Sequence, residues 1–119
     1  MEKLTQQEEE AMQAVWKIGE GNIKSFMAAM QEPLPPYTTL ASTVKNLEKK
    51  GFVKSRLIGN SHIYTPEIPE EAYKQRFIGN VVKDYFENSY KEMVSFFVEK
   101  NKISTDELKE IIGLIEGKK

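Results

Sequence analysis

Tyr37-Thr38-Thr39-Leu40-Ala41-Ser42-Thr43-Val44-Lys45-Asn46-Leu47-Glu48-Lys49-Lys50-Gly51-Phe52 is the stretch on which the fold turns. Leu40, Val44 and Leu47 recur at spacings of four and three, which places them on one face of an α-helix. Tyr37 falls on the flank of that face. The opposite face then carries Thr38, Ser42, Lys45, Asn46 and Lys49, with Thr39, Thr43 and Lys50 to one side and Glu48 on the remaining flank. Pro36 suits the first turn of such a helix and Gly51 suits its stop, so the helix is expected from 36 or 37 to 50.

Downstream, Phe52–Leu57 and Ser61–Thr65 read as two strands joined through Ile58-Gly59-Asn60. Upstream, Thr5-Gln6-Gln7-Glu8 is a capping box opening a helix over 6–18, with Met12, Val15 and Trp16 facing inward and Gly19 as its stop. Ile23, Phe26, Met27 and Met30 mark a short second helix, ended by Pro33, Pro35 and Pro36. Beyond Pro69 the chain reads as helix to its end. Tyr73, Phe77, Ile78, Val81, Val82 and Tyr85 share a face of a fourth helix, and Tyr90, Met93, Val94 and Phe97 a face of a fifth. A second capping box, Ser104-Thr105-Asp106-Glu107, opens a sixth. Three helices followed directly by a hairpin are the winged helix-turn-helix order. The expected fold is mainly α with a small β-hairpin wing: a winged-helix domain over 1–68 and a helical dimerisation region over 69–119.

Composition narrows the chemistry. Among 119 residues there is no cysteine, and His62 is the only histidine, so thiolate chemistry, multi-histidine metal sites and a Ser-His-Asp triad are not expected. Gly19 and Gly21 lack the Gly-x-Gly-x-x-Gly pattern of a dinucleotide loop. No catalytic residue, metal or cofactor is expected. The opening Met1-Glu2-Lys3-Leu4-Thr5-Gln6 has no apolar signal core, and no apolar run approaches the ~20 residues of a membrane span, which points to a cytoplasmic protein without membrane insertion. The net charge of −1 hides a local asymmetry. Residues 37–66 carry Lys45, Lys49, Lys50, Lys54 and Arg56 against Glu48 alone. Attraction to phosphate acts where protein and backbone meet, so this local excess counts for more than the total.

The outer face of the third helix suits a DNA major groove. Thr and Ser are short enough for close backbone approach, and their hydroxyls pair with base edges. Asn46 matches adenine, while Lys45 and Lys49 match phosphate or guanine. Thr and Ser are indifferent helix formers, so their concentration on an exposed helix face is not explained by helix propensity. The DNA-contacting set is thus Thr38, Thr39, Ser42, Thr43, Lys45, Asn46 and Lys49, with Lys54, Arg56 and Asn60 of the hairpin meeting backbone or minor groove. Tyr64, Trp16 and the methionines at 12, 27 and 30 read as core, and His62 as an ordinary wing residue. A protein-binding module of the same fold would need an acidic or apolar outer face, and this one is neither.

The C-terminal 50 or so residues are too few to build a sizeable core alone. Yet they present Ile78, Val81, Val82, Tyr85, Phe86, Met93, Phe96, Phe97, Leu108, Ile111, Ile112 and Ile115. A two-fold partner chain is the economical way to bury them. Such a homodimer would also supply two reading helices about one turn of DNA apart, or a multiple of it.

Several of these stretches carry a resemblance. Leu4-Thr5 with Glu8 and Trp16, Tyr37-Thr38-Thr39-Leu40, Leu47-Glu48-Lys49-Lys50-Gly51-Phe52 and Tyr64-Thr65-Pro66 are similar to the penicillinase-repressor and methicillin-resistance-repressor family over nearly the whole chain. The resemblance implies a homodimeric repressor on a near-palindromic double-stranded DNA operator. It also implies a membrane sensor of β-lactam that triggers cleavage in the dimerisation region. The cleaved bond would fall near Phe96-Phe97, where this chain has Phe in place of the family's Asn. A copper-responsive branch of the family uses C-terminal cysteines, and this chain has none.

Overall fold

The computed structural model describes residues 2–117, which form six helices and one two-stranded sheet. In chain order these are α1 (Gln6–Ile18), α2 (Ile23–Ala28), α3 (Tyr37–Lys49), β1 (Val53–Ile58), β2 (Ser61–Pro66), α4 (Glu70–Tyr85), α5 (Tyr90–Glu99) and α6 (Thr105–Gly117). The fold is that expected from the sequence: three helices, an antiparallel hairpin, then a helical region.

Both capping boxes form. The Glu8 amide donates to Thr5 Oγ1 at 3.2 Å while the Thr5 amide donates to Glu8 Oε1 at 2.8 Å. At α6 the Glu107 amide donates to Ser104 Oγ and the Ser104 amide to Glu107 Oε1. Gly19 ends α1 at φ 89°, a conformation that a side chain would strain. α2 is shorter than its apolar spacing predicts. Its end tightens into i→i+3 bonds, Ala29 to Phe26 and Met30 to Met27, so it stops before Pro33 is reached. Met27 and Met30 still pack on the core from its edge.

β1 and β2 pair from Val53↔Pro66 to Ile58↔Ser61, leaving the two-residue turn Gly59-Asn60. Ile58 belongs to the strand rather than to the connection. Gly59 has φ 61° at the first turn position while Asn60 is not left-handed, which is the glycine-first pattern of a type II′ hairpin.

The chain divides into two compact units between Tyr73 and Lys74. In the first, Leu4, Ala11, Met12 and Val15 of the N-terminal segment and α1, with Phe26, Leu40, Val44, Leu47, Phe52, Val53 and Tyr64, form one buried cluster. Burying each large apolar side chain here contributes roughly 1.5–3 kcal/mol before ordering costs. Trp16 packs on this cluster and its indole Nε1 donates to the Ile68 carbonyl at 2.9 Å. Tyr73, in the first turn of α4, lies 5.5 Å from the Trp16 ring and 5.8 Å from Phe52, and its hydroxyl donates to Glu9 at 2.8 Å. That packing is why the division falls after Tyr73, five residues beyond the boundary of 68 expected from Pro66 and Pro69.

In the second unit Val82 is the one buried residue among those described. The Phe86 and Phe96 rings meet at a tilt with centroids 5.6 Å apart, and Phe96 meets Phe97 edge-to-face at 5.5 Å. The Lys100 ammonium lies 5.8 Å from the Phe96 ring centre. Asn88 and Asn101 take left-handed conformations at φ 61° and 60°, the residue type that tolerates them best after glycine.

Candidate nucleic-acid interface

α3 owes its orientation to the buried row Leu40, Val44 and Leu47, which leaves Thr38, Ser42, Lys45, Asn46 and Lys49 exposed together on the far side. No acidic side chain interrupts that face. Glu48, on the flank, accepts a hydrogen bond from Ser55 Oγ at 2.6 Å and is thereby held toward β1. Lys50 is drawn the other way, donating to Glu8 at 2.7 Å and to the Lys3 carbonyl at 3.2 Å.

Thr43 does not belong with the exposed set. It is 8% exposed, and its hydroxyl donates to the Thr39 carbonyl one turn back at 2.9 Å. At 100° per residue it sits at the border of the apolar row, and a β-branched Thr packs there once its hydroxyl is satisfied by the backbone. Thr39 itself is half-buried. Tyr37, which the spacing places on the inward flank, is 49% exposed at the start of α3.

The hairpin is anchored to the turn between α1 and α2. The Gly21 amide donates to the Tyr64 carbonyl at 3.1 Å and the Tyr64 amide to the Gly21 carbonyl at 2.8 Å. Tyr64 is buried against Phe26, and burial, then Glu48 and Tyr37, pushes its phenol above the ordinary range. On the outer side, Lys54 pairs with Glu67 at 3.1 Å and Arg56 with Glu20. Asn60 is exposed at the tip, and His62 is exposed with its ring 6.4 Å from Tyr64. The tip also carries Leu57 and Ile58, which sequence reading did not single out, 63% and 53% exposed. The signal was available: consecutive strand residues point to opposite faces, so these two cannot both be core.

In the second unit, Ile78, Tyr85, Phe96, Phe97, Ile111, Ile112 and Ile115 of the expected apolar set are exposed, and Val81, Phe86, Met93 and Leu108 are half-buried. Val82 is fully buried within the single chain and so is core, not a surface for a partner. Phe77, Tyr90, Val94, Val98 and Leu114 are exposed apolar residues that the expected set omitted. Phe96 and Phe97 lie inside α5, so the bond between them is part of a formed helix. No helix among the described residues is long and apolar enough to cross a membrane.

Known proteins are similar in sequence to this chain along nearly its whole length. The family model described as Penicillinase repressor matches residues 4–117. A penicillinase repressor of Bacillus licheniformis is 23% identical over 118 residues, covering 98% of this chain and 92% of that protein. The methicillin resistance regulatory protein MecI of Staphylococcus aureus (strain N315) is 25% identical, covering 98% of this chain and 95% of that protein. The MecI protein of Mammaliicoccus sciuri matches with the same identity and the same coverage. With the winged-helix order in place and the match running nearly end to end, the chain belongs to the penicillinase repressor family.

Proposed function

We propose that this protein is a sequence-specific transcriptional repressor that binds double-stranded DNA as a homodimer on a near-palindromic operator. The observation that carries this reading is the face of α3. Thr38, Ser42, Lys45, Asn46 and Lys49 stand exposed together, with short polar and cationic side chains and no carboxylate among them. Side chains of this kind meet base edges through Ser, Thr and Asn and phosphates through Lys. Family membership supports the same reading, since the relatives are named as penicillinase and methicillin-resistance regulators.

The dimer is supported by the second unit. Monomers rarely expose contiguous apolar patches larger than a few hundred Å², and α4–α6 expose twelve large apolar side chains besides the half-buried ones. A copy of the same chain, related by a two-fold axis, covers such a face and presents two reading helices to the DNA. Release by a sensor-protease pathway cutting at Phe96-Phe97 requires α5 to open first, because proteases bind extended chain.

The test is a gel shift with the intergenic DNA upstream of the protein's own gene against a scrambled duplex of equal length. Retention of the upstream duplex by a dimer, weakening steeply with added salt, is the expected result. Equal binding to both duplexes, or none, would remove the reading.

A further inference from the structure

Both outward-facing cations of the wing are already paired with carboxylates from outside it. Lys54 reaches Glu67, just past the end of β2, and Arg56 reaches Glu20 in the turn after α1. The strand register shows which way they lean. Arg56 stands opposite Ile63, yet its guanidinium donates to Thr65 Oγ1, the residue opposite Lys54 and two pairs nearer the hairpin's base. Lys54 stands opposite Thr65 and leans further still, beyond Val53↔Pro66. The two cations therefore lie back along the hairpin, away from the Gly59-Asn60 tip. Glu20 is positioned for this by its neighbour, because the paired hydrogen bonds between Gly21 and Tyr64 fix the α1–α2 turn against β2.

We propose that Glu20 and Glu67 act as an intramolecular latch on the wing, occupying with carboxylate the cations that DNA phosphate would take. The proposal rests on the DNA-binding reading above and adds to it two acidic residues that limit how tightly the wing grips. A guanidinium or ammonium that engages a phosphate must leave its carboxylate or share the cation with it. Sharing brings two anions together. Either way each latch subtracts from the affinity of any complex in which the wing touches the backbone. The subtraction is set by an exposed ion pair, so each latch lowers affinity by roughly two- to five-fold. The latch also accounts for the chain's charge pattern: the acidic residues flanking the basic segment are, in part, its own counter-ions.

Fluorescence anisotropy on full-length protein tests the proposal, using a labelled duplex of the upstream intergenic DNA at fixed salt. Glu20→Gln is expected to tighten binding by roughly two- to five-fold, and Glu67→Gln to do the same. A double-mutant cycle separates the latch from a simple change of net charge. On an Arg56→Gln background, Glu20→Gln should have no further effect, and on a Lys54→Gln background neither should Glu67→Gln. A gain of equal size with and without Arg56 would overturn the latch, because it would come from net charge alone. Unchanged or weaker binding by Glu20→Gln would also overturn it, making Glu20 a residue that aims Arg56 at the backbone. Wild-type protein that binds no duplex would remove the DNA-binding reading itself. Wild-type binding without a gain would remove only the latch.

Discussion

Lys50 Nζ lies 2.7 Å from Glu8 Oε1, joining the C-terminal cap of α3 to the first turn of α1. Glu8 is 5% exposed and completes the capping box of its own helix, so one carboxylate closes α1 and ties it to α3. Burial pushes the Glu8 carboxyl up, but the Lys50 ammonium and the Thr5 amide outweigh it and hold the group below the ordinary carboxylate range.

That relationship has a pH signature. A carboxyl depressed in the folded state stabilises the fold above its unfolded pKa and loses the contribution as pH falls through the folded value. Unfolding followed by Trp16 fluorescence should therefore show stability falling below about pH 4.5, near the ordinary carboxylate value. Lys50→Met should flatten that fall and cost about 1–3 kcal/mol at neutral pH, since it leaves a nearly buried carboxylate without its partner. A pH profile identical to wild type would contradict the role of the pair.

The boundary after Tyr73 predicts which fragments fold. Residues 1–73 keep the Tyr73 ring on Trp16 and Phe52 and its hydrogen bond to Glu9, whereas residues 1–68 lose all three. The shorter fragment should be less stable by about 2–4 kcal/mol, in line with loss of a partly buried aromatic ring. Urea titration of the two fragments measures the difference, and equal midpoints would place the boundary back at 68.

Within α3, neighbouring residues should behave oppositely. Ser42→Ala with Asn46→Ala should reduce discrimination between upstream and scrambled duplex by roughly 10- to 100-fold per lost base contact. Thr43→Val should leave discrimination unchanged, because the Thr43 hydroxyl is spent on the Thr39 carbonyl. Lys45→Gln or Lys49→Gln should weaken both duplexes alike and lower the salt slope by about 0.9. Competition binding at several salt concentrations separates these outcomes.

The exposed apolar face of the second unit predicts the assembly. Ile112→Asp, at a residue 52% exposed in the single chain, should shift the protein from dimer to monomer at micromolar concentration in sedimentation velocity. Val82→Asp should instead unfold the second unit, since Val82 is fully buried within one chain. A dimer that survives Ile112→Asp together with Ile115→Asp would place the interface elsewhere.

The sequence by itself determined the order of elements and the inward row of α3, because both follow from periodicity. Leu40, Val44 and Leu47 can share a face only in a helix, and Thr5 with Glu8 or Ser104 with Glu107 form a local structure needing no distant partner. Pairing between residues far apart in the chain was decided only by tertiary structure. Glu8 is 42 residues from Lys50, Glu20 is 36 from Arg56, and Tyr73 is 64 from Glu9. Which carboxylate meets which cation depends on how helices and hairpin dock, and no spacing rule encodes that. The same docking buried Thr43 on the rim of the apolar row and left Tyr37 exposed, because at a helix flank the neighbours, and not the 100° step, decide what water reaches.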